Sequence, residues 1–408
     1  MFVPNPDWQH IADLHDLGYL PLRIKAVKEG TLVPLRVPMA TVENTNPKFF
    51  WVTNYIETLL SSENWLPSTS ATIAFEYKKL LTYYAKLTGG DLGFVNFQGH
   101  DFSQRGMVTD AATLSGAGHL TSFLGSDTIP AIPFLERYYG ANIENEIVGT
   151  SVNATEHSVM CAGGQENEFE TYDRLINKVH PTGILSIVSD TWDLWKVITD
   201  TLVKLKDDIL NRDGKVVIRP DSGDPVKILC GDPESDNQNE RKGVIELLWD
   251  IFGGSVNGKG FKELDPHIGA IYGDSITLAR AKAISEGLMA KGFASTNVVY
   301  GIGSFTYQYQ TRDTFGFAMK SVHVVVNGEE RFIQKDPVTD KNKTKKSATG
   351  RLVVTYDPYD TDKIIMMDGM TIEQQEQYQY LDLLQDVFVD GKLVREQKSV
   401  RNPKIAPK

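Results

Sequence analysis

Apolar and polar positions along this chain follow two rhythms, with a change near Lys320. From Phe97 onward, short β-branched runs recur, each ending in a small polar cluster and followed by apolar residues at helical spacing. Residues 147–149 lead to Ser151-Val152-Asn153-Ala154-Thr155-Glu156-His157-Ser158, then to a helix burying Phe169, Tyr172, Leu175, Ile176 and Val179. Residues 184–188 lead to Ser189-Asp190-Thr191, then to a helix with Ile198, Leu202, Leu205 and Ile209 on one stripe. Val216-Val217-Ile218 runs into Arg219-Pro220-Asp221-Ser222-Gly223, and Val244, Leu247, Leu248 and Ile251 follow. Residues 268–272 end in Gly273-Asp274-Ser275, where Asp274 or Ser275 caps a helix from Ile276. Val298-Val299-Tyr300 ends in Gly301-Ile302-Gly303-Ser304.

Strand, polar loop and helix in regular alternation predict parallel βα units. At least five in succession favour a βα barrel, complete or incomplete, over residues 61–320. The chain ends, 1–60 and 321–408, read as a second, smaller, β-rich α/β domain. Residues 20–37 alternate around Gly30 as in a hairpin. Helices are predicted over 47–60, with Phe50, Val52, Tyr55, Ile56 and Leu59 inside, and over 69–87, with Ile73, Tyr77, Leu80 and Tyr84 inside. After Lys320, residues 322–327, 331–334 and 352–356 read as antiparallel strands around turns at Asn327-Gly328 and Asp357-Pro358. The lysine-rich loop at 335–346 is either solvated surface or a lid bringing cations to a polyanion.

Composition narrows the function. A formal charge of −11 argues against a nucleic-acid surface, while leaving room for a small cationic pocket. Cys161 and Cys230 lack metal-ligand spacing and read as buried reduced thiols, which points to a cytoplasmic setting. No apolar run reaches the roughly 20 residues of a membrane helix, and the first residues lack the basic start and apolar core of a signal peptide.

The polar clusters are expected to meet at the C-terminal rim of the sheet, where α/β folds bind ligands. There Arg219 supplies a fork for phosphate, and Asp221 a carboxylate for sugar hydroxyls or a metal, although a strand-end ion pair would look alike. Gly273 and Gly301-Ile302-Gly303-Ser304 suit phosphate binding through backbone amides, with Arg312 downstream. Asp274 joins Asp221 as a second rim carboxylate. His157 is a candidate catalytic histidine with Asp190 as its partner, against the reading of a structural histidine. His100-Asp101-Phe102-Ser103-Gln104-Arg105-Gly106 offers a flat ring and a cation. Asp127, in Gly125-Ser126-Asp127-Thr128, accepts hydrogen bonds only when ionised; it favours an amide NH₂ and repels a carboxylate.

Taken in order, HDFSQRG, GSDT, ATEHS, SDTWD, VVIRPDSGDP, YGD and KDPVTDKNK make the chain similar to the nicotinate/nicotinamide phosphoribosyltransferase family, and within it to the nicotinamide-using members. The likeness runs from LPLRIKAVKEG to the C-terminal strands. It implies transfer of phosphoribosyl from phosphoribosyl diphosphate to nicotinamide. Phe102 would stack on the nicotinamide ring, Asp127 would hold the carboxamide nitrogen, and Arg219 would lie against carboxamide and phosphate. Asp221, Gly273 and Asp274 would surround the ribose. Arg105, Arg312 and the Gly303-Ser304 backbone would bind phosphates, with Lys320, Lys335 and Lys343 near the diphosphate. His157 would be phosphorylated when ATP assists, beside Asp190. The resemblance further implies Mg²⁺ with the diphosphate, no protein residue assigned to a metal, and a homodimer with shared sites. Two departures stand out: the family's N-terminal segment, with a partner-reaching Asp and Tyr, has no counterpart here, and Ser304 replaces a glycine.

Overall fold

A computed structural model describes residues 7–334, 338–339 and 347–395. Among these, the chain divides into two compact units, residues 66–310 and residues 7–65 with 311–395.

The larger unit is organised by seven parallel strands: β1 (Gly99–Asp101), β2 (Gly125–Ser126), β3 (Asn153–Ala154), β4 (Thr182–Val188), β5 (Asp213–Arg219), β6 (Ile268–Tyr272) and β7 (Val298–Ile302). Their spatial order is β2-β1-β7-β6-β5-β4-β3. The long runs pair in the middle, with Ile187 opposite Ile218, Ala270 opposite Ile218, and Tyr272 opposite Tyr300. Leu185, Ile187, Val216, Ile218, Tyr272 and Tyr300 are fully buried, as β-branched and aromatic strands covered on both faces should be.

The sheet curls into a half-barrel, so the expectation of a βα barrel, complete or incomplete, holds. Between its two edge strands, Thr150 forms a parallel bridge to Gly125 of β2, and three residues later β3 pairs with β4. Residues 147–149 are therefore not the strand that their apolar character suggests. Ile147 is exposed, and the ladder bonds fall to Thr150 and to Asn153-Ala154.

Helices cover the sheet where the 3.6-residue period predicts. In Leu278–Ala290, Ala281, Ile284, Ser285 and Leu288 form the buried stripe. Its cap is Thr277, whose hydroxyl accepts from Arg280 N, rather than Asp274 or Ser275. That leaves the two rim residues outside the helix: Ser275 takes φ 52° and its hydroxyl donates to Asp274. Ile198, Leu202, Leu205 and Ile209 are all buried, although the backbone carrying them alternates short α- and π-helical segments.

The smaller unit is β-rich and uses both chain ends. Leu22–Ala26 pairs antiparallel with Ala40–Asn44 on one side and Gln385–Val389 on the other. The sequence expectation of a hairpin across Gly30 thus places the return strand too early. Pro34 and Pro38 lack the N–H that a ladder needs, so the chain loops on to residue 40 before pairing. Arg23 fixes the pairing with two hydrogen bonds to Asp386, 2.7 and 2.8 Å long. The predicted helix over 47–60 is also corrected. It breaks into Pro47–Phe49, Val52–Tyr55 and the start of Glu57–Thr88, and its buried residues are Phe49 and Val52, with Phe50, Tyr55 and Leu59 exposed. Two short segments ahead of a long helix, in place of one continuous rod, rotate the face, which is why a single helical period misassigns it. The strands His323–Val326 and Glu329–Phe332 turn at Asn327-Gly328, both at positive φ, as a two-residue hairpin requires. Arg351–Asp357 and Asp360–Met370 form the other long hairpin.

Candidate active site

Every strand of the half-barrel runs the same way, so its C-terminal ends gather polar side chains on one rim. Phe102 follows β1 directly, anchored by its N–H to Ile302 O at 2.9 Å. The ring lies against the end of β7: a Cβ on Gly301 would come within 2.5 Å of it. Arg219, the last residue of β5, places its guanidinium carbon 5.1 Å from the Phe102 ring centroid. Its Nη2 is 3.5 Å from Asp221 Oδ1, while its buried Nε has no hydrogen-bond partner among the described residues. Gly273 completes this corner, since a Cβ there would lie 3.0 Å from Asp221 Oδ1 and 3.3 Å from Arg219 Nε. Phe102, Arg219, Asp221 and Gly273 are thus in one cluster.

Asp127 borders the same cluster. His100 Nε2 lies 2.9 Å from its Oδ1, and Ser151 Oγ donates to that oxygen as well. Burial alone would raise the Asp127 carboxyl, but the His100 and Ser151 hydrogen bonds and the Arg219 charge together hold it below its usual range. An ionised acceptor therefore faces the site.

Asp190 serves two neighbours. Its Oδ2 accepts from Asp221 N at 2.9 Å and from the Ser222 hydroxyl, shaping the Arg219–Gly223 turn. Its buried Oδ1 lies 3.8 Å from His157 Nε2, and Asp221 Oδ2 is 4.0 Å from that nitrogen. Thr191, whose Oγ1 is 3.1 Å from Nδ1, holds the imidazole by hydrogen bond in place of Asp190. Half-exposed His157 thus holds its Nε2 beside two carboxylates.

The phosphate-type elements sit at the ends of β7 and β1. Gly303 has open space around the position of a Cβ, and Ser304 starts a single helical turn. A Cβ on Gly106 would meet Ser304 Cβ at 2.3 Å, so the Gln104–Gly106 turn carrying exposed Arg105 is packed on this loop. Residues 97–392 match the model of the nicotinate phosphoribosyltransferase (NAPRTase) family.

The chain belongs to the nicotinate phosphoribosyltransferase family. It is 56% identical over 396 residues to a nicotinamide phosphoribosyltransferase of Acinetobacter baylyi, covering 94% of this chain and 76% of that one. It is 39% identical over 337 residues to a nicotinamide phosphoribosyltransferase of Mycoplasma pneumoniae, covering 81% and 71%. In fold it is similar to the crystal structure of a nicotinate-nucleotide pyrophosphorylase from Pyrococcus furiosus, with a TM-score of 0.54 at 15% identity over 97% of this chain and 82% of that one. The resemblance drawn from the motifs is borne out.

In this family member, Asp274 is exposed at the end of β6, bonded to Ser275. Arg312, beside Asp313 at 3.3 Å, and Lys320, bonded to Met319 O, belong to the smaller unit. Lys335 and Lys343 lie outside the described residues. The expectation of two buried thiols holds for Cys230 and is corrected for Cys161, which is exposed. Four contributors went unassigned in the sequence: His100, Ser151, Thr191 and Ser222. His100 carried a signal, because it precedes by two a Phe102 that continues directly from the strand end, the spacing that puts side chains on one side of an extended chain; the two rings are 4.7 Å apart. The other three are hydroxyls inside motifs whose charged residues drew attention first. No helix among the described residues is long and apolar enough to cross a membrane.

Proposed function

We propose that this protein transfers the phosphoribosyl group of phosphoribosyl diphosphate to nicotinamide, releasing nicotinamide mononucleotide and diphosphate. The observation that carries this reading is Asp127, kept ionised at the edge of the Phe102–Arg219 pair. A pyridine ring against Phe102 would direct its carboxamide N–H to Asp127 and its carbonyl to Arg219. A nicotinate carboxylate there would face a like charge.

The pyridine nitrogen attacks ribose C1 as the C1–oxygen bond to diphosphate breaks, so the bond pair leaves with diphosphate. The transition state has oxocarbenium character, and the residues act by placement and charge. Asp221 and Asp274 would accept from ribose hydroxyls, and the Gly303-Ser304 amides with Arg105 would hold phosphate. Arg312, Lys320, Lys335 and Lys343 are proposed as further cations for the diphosphate. Mg²⁺ is normally held by one or two carboxylates plus substrate phosphates, and the rim carboxylates Asp221 and Asp274 fit that pattern. Bound there, it would neutralise diphosphate charge. His157, beside Asp190, is proposed to accept phosphate from ATP as a facultative co-substrate.

Purified protein incubated with phosphoribosyl diphosphate, Mg²⁺ and each pyridine base, followed by product identification, tests the reading. Nicotinamide mononucleotide as the main product supports it. Nicotinate mononucleotide formed with equal or greater kcat/KM overturns it.

A further inference from the structure

Two donors converge on a single oxygen of Asp127. His100 Nε2 is 2.9 Å from Oδ1, and Ser151 Oγ bonds the same atom, whereas Oδ2 has no hydrogen-bond partner among the described residues. A carboxylate only accepts, so Nε2 carries the proton and Ser151 donates its hydroxyl hydrogen. The strand pairing sets this up: His100 lies opposite Gly125, Asp101 opposite Ser126, and Asp127 N donates to Asp101 O at 2.9 Å. Gly125 is needed for the fit, since a Cβ there would come within 2.7 Å of His100 Nδ1. Asp101 in turn is fully buried and tied to Ser103 N at 2.8 Å and the Thr128 hydroxyl at 2.7 Å, which immobilises the strand pair from below. The imidazole also rests on Phe102, with ring centroids 4.7 Å apart.

We infer that His100, with Ser151, is a specificity-positioning residue that clamps Asp127 through Oδ1 and so reserves Oδ2 for the substrate amide. The inference rests on the proposed transfer to nicotinamide. Asp127 is itself half-exposed, and without the clamp its side chain can rotate. Turned away from the ring, the carboxylate neither accepts from a carboxamide nor repels a nicotinate carboxylate, and the two bases become more alike. The clamp opposes that rotation. It acts on discrimination between bases more than on the bond-breaking step, because neither donor is placed on the ribose or diphosphate.

The test compares kcat and KM for nicotinamide and nicotinate in the unmutated protein, His100→Phe, His100→Gln and Ser151→Ala; slow nicotinate turnover is replaced by its Ki as a competitor. His100→Phe keeps a ring against Phe102 but loses the donor. Loss of a hydrogen bond to a charged group should lower the nicotinamide-to-nicotinate preference about tenfold, through nicotinamide KM with kcat largely kept. His100→Gln, whose amide can donate from a similar place, should restore most of the preference. Exposed Ser151→Ala, which does not threaten the fold, should shift it in the same direction by a smaller factor. An unchanged preference in both His100→Phe and Ser151→Ala overturns the clamp. So does a loss in which both bases fall equally and Gln fails to rescue, since that marks a structural role. Absence of nicotinamide turnover in the unmutated protein would instead overturn the proposed function.

Discussion

Arg219 lies over the face of Phe102, its guanidinium carbon 5.1 Å from the ring centroid, although the two residues are 117 positions apart (219 − 102). The stack is a cation–π contact with the arginine side chain only 14% exposed. It joins the end of β1 to the end of β5, and it places a flat apolar surface and a fork of donors side by side.

Gly301 is what lets the ring approach. Gly301→Ala would put a Cβ 2.5 Å from Phe102 and 2.7 Å from Gly273 Cα, so the ring or the β6 end must shift. The expected outcome is a rise of about tenfold in nicotinamide KM, equivalent to about 1.4 kcal/mol, with a smaller change in kcat. Steady-state kinetics on the folded variant checks it; an unchanged KM would remove Phe102 from the binding surface.

Asp190 organises the Arg219–Gly223 turn as well as facing His157. In Asp190→Ala, Asp221 N and Ser222 Oγ lose their shared acceptor. A hydrogen bond to a charged group is worth about 1.5–3 kcal/mol, so affinity for phosphoribosyl diphosphate should fall about tenfold even without ATP. Calorimetric titration in the absence of ATP measures this. If only the ATP-dependent rate fell, Asp190 would act through His157 alone.

His157 is expected to carry acid-labile phosphate when the protein is incubated with labelled ATP. His157→Ala should abolish the label and lower the ATP-stimulated rate while leaving ATP-independent turnover. Label that survives in the variant moves the phosphosite elsewhere. Thr191→Val, which removes the hydroxyl 3.1 Å from Nδ1, should reduce labelling without abolishing it.

His119 should make stability depend on pH. It is fully buried, and its neutral form fits its partners: Nε2 donates to Gly125 O at 3.0 Å, and the Tyr307 hydroxyl donates to Nδ1 at 2.7 Å. Burial, aided by the neighbouring His100, lowers its protonation below the usual imidazole value of 6.5 against the pull of Asp101 and the carbonyl. Below 6.5 the unfolded chain binds a proton that the folded one refuses, so stability present above 6.5 is lost on acidification. Urea midpoints at pH 7.5 and 5.5 should differ less in His119→Gln than in the unmutated protein. Equal differences would show that another group sets the dependence.

Much of this architecture is legible in the chain itself. The runs ending at Ile218, Tyr272 and Tyr300 are too β-branched or aromatic, and too regularly followed by helical stripes, to form anything but parallel βα units. Parallel strands align their ends, so Arg219, Asp221 and Gly273 had to share a rim, and the motifs around them pointed to the right family. Local pattern could not supply the partners that meet through long-range pairing. Leu22–Ala26 could have paired with any nearby alternating stretch; the Arg23–Asp386 bonds and the proline-interrupted loop sent it to Ala40–Asn44 and Gln385–Val389. Thr150 reads as a loop residue until the curl of the sheet brings it to Gly125. His100, Asp127 and Ser151 belong to three separate loops or strands, and only the register of β1 against β2 together with the Thr150–Gly125 bridge brings two donors onto one carboxylate oxygen. A sequence lists which groups can donate and accept. Which of them come within 3 Å of each other is decided by sheet register and curvature, and those are set by packing over the whole unit.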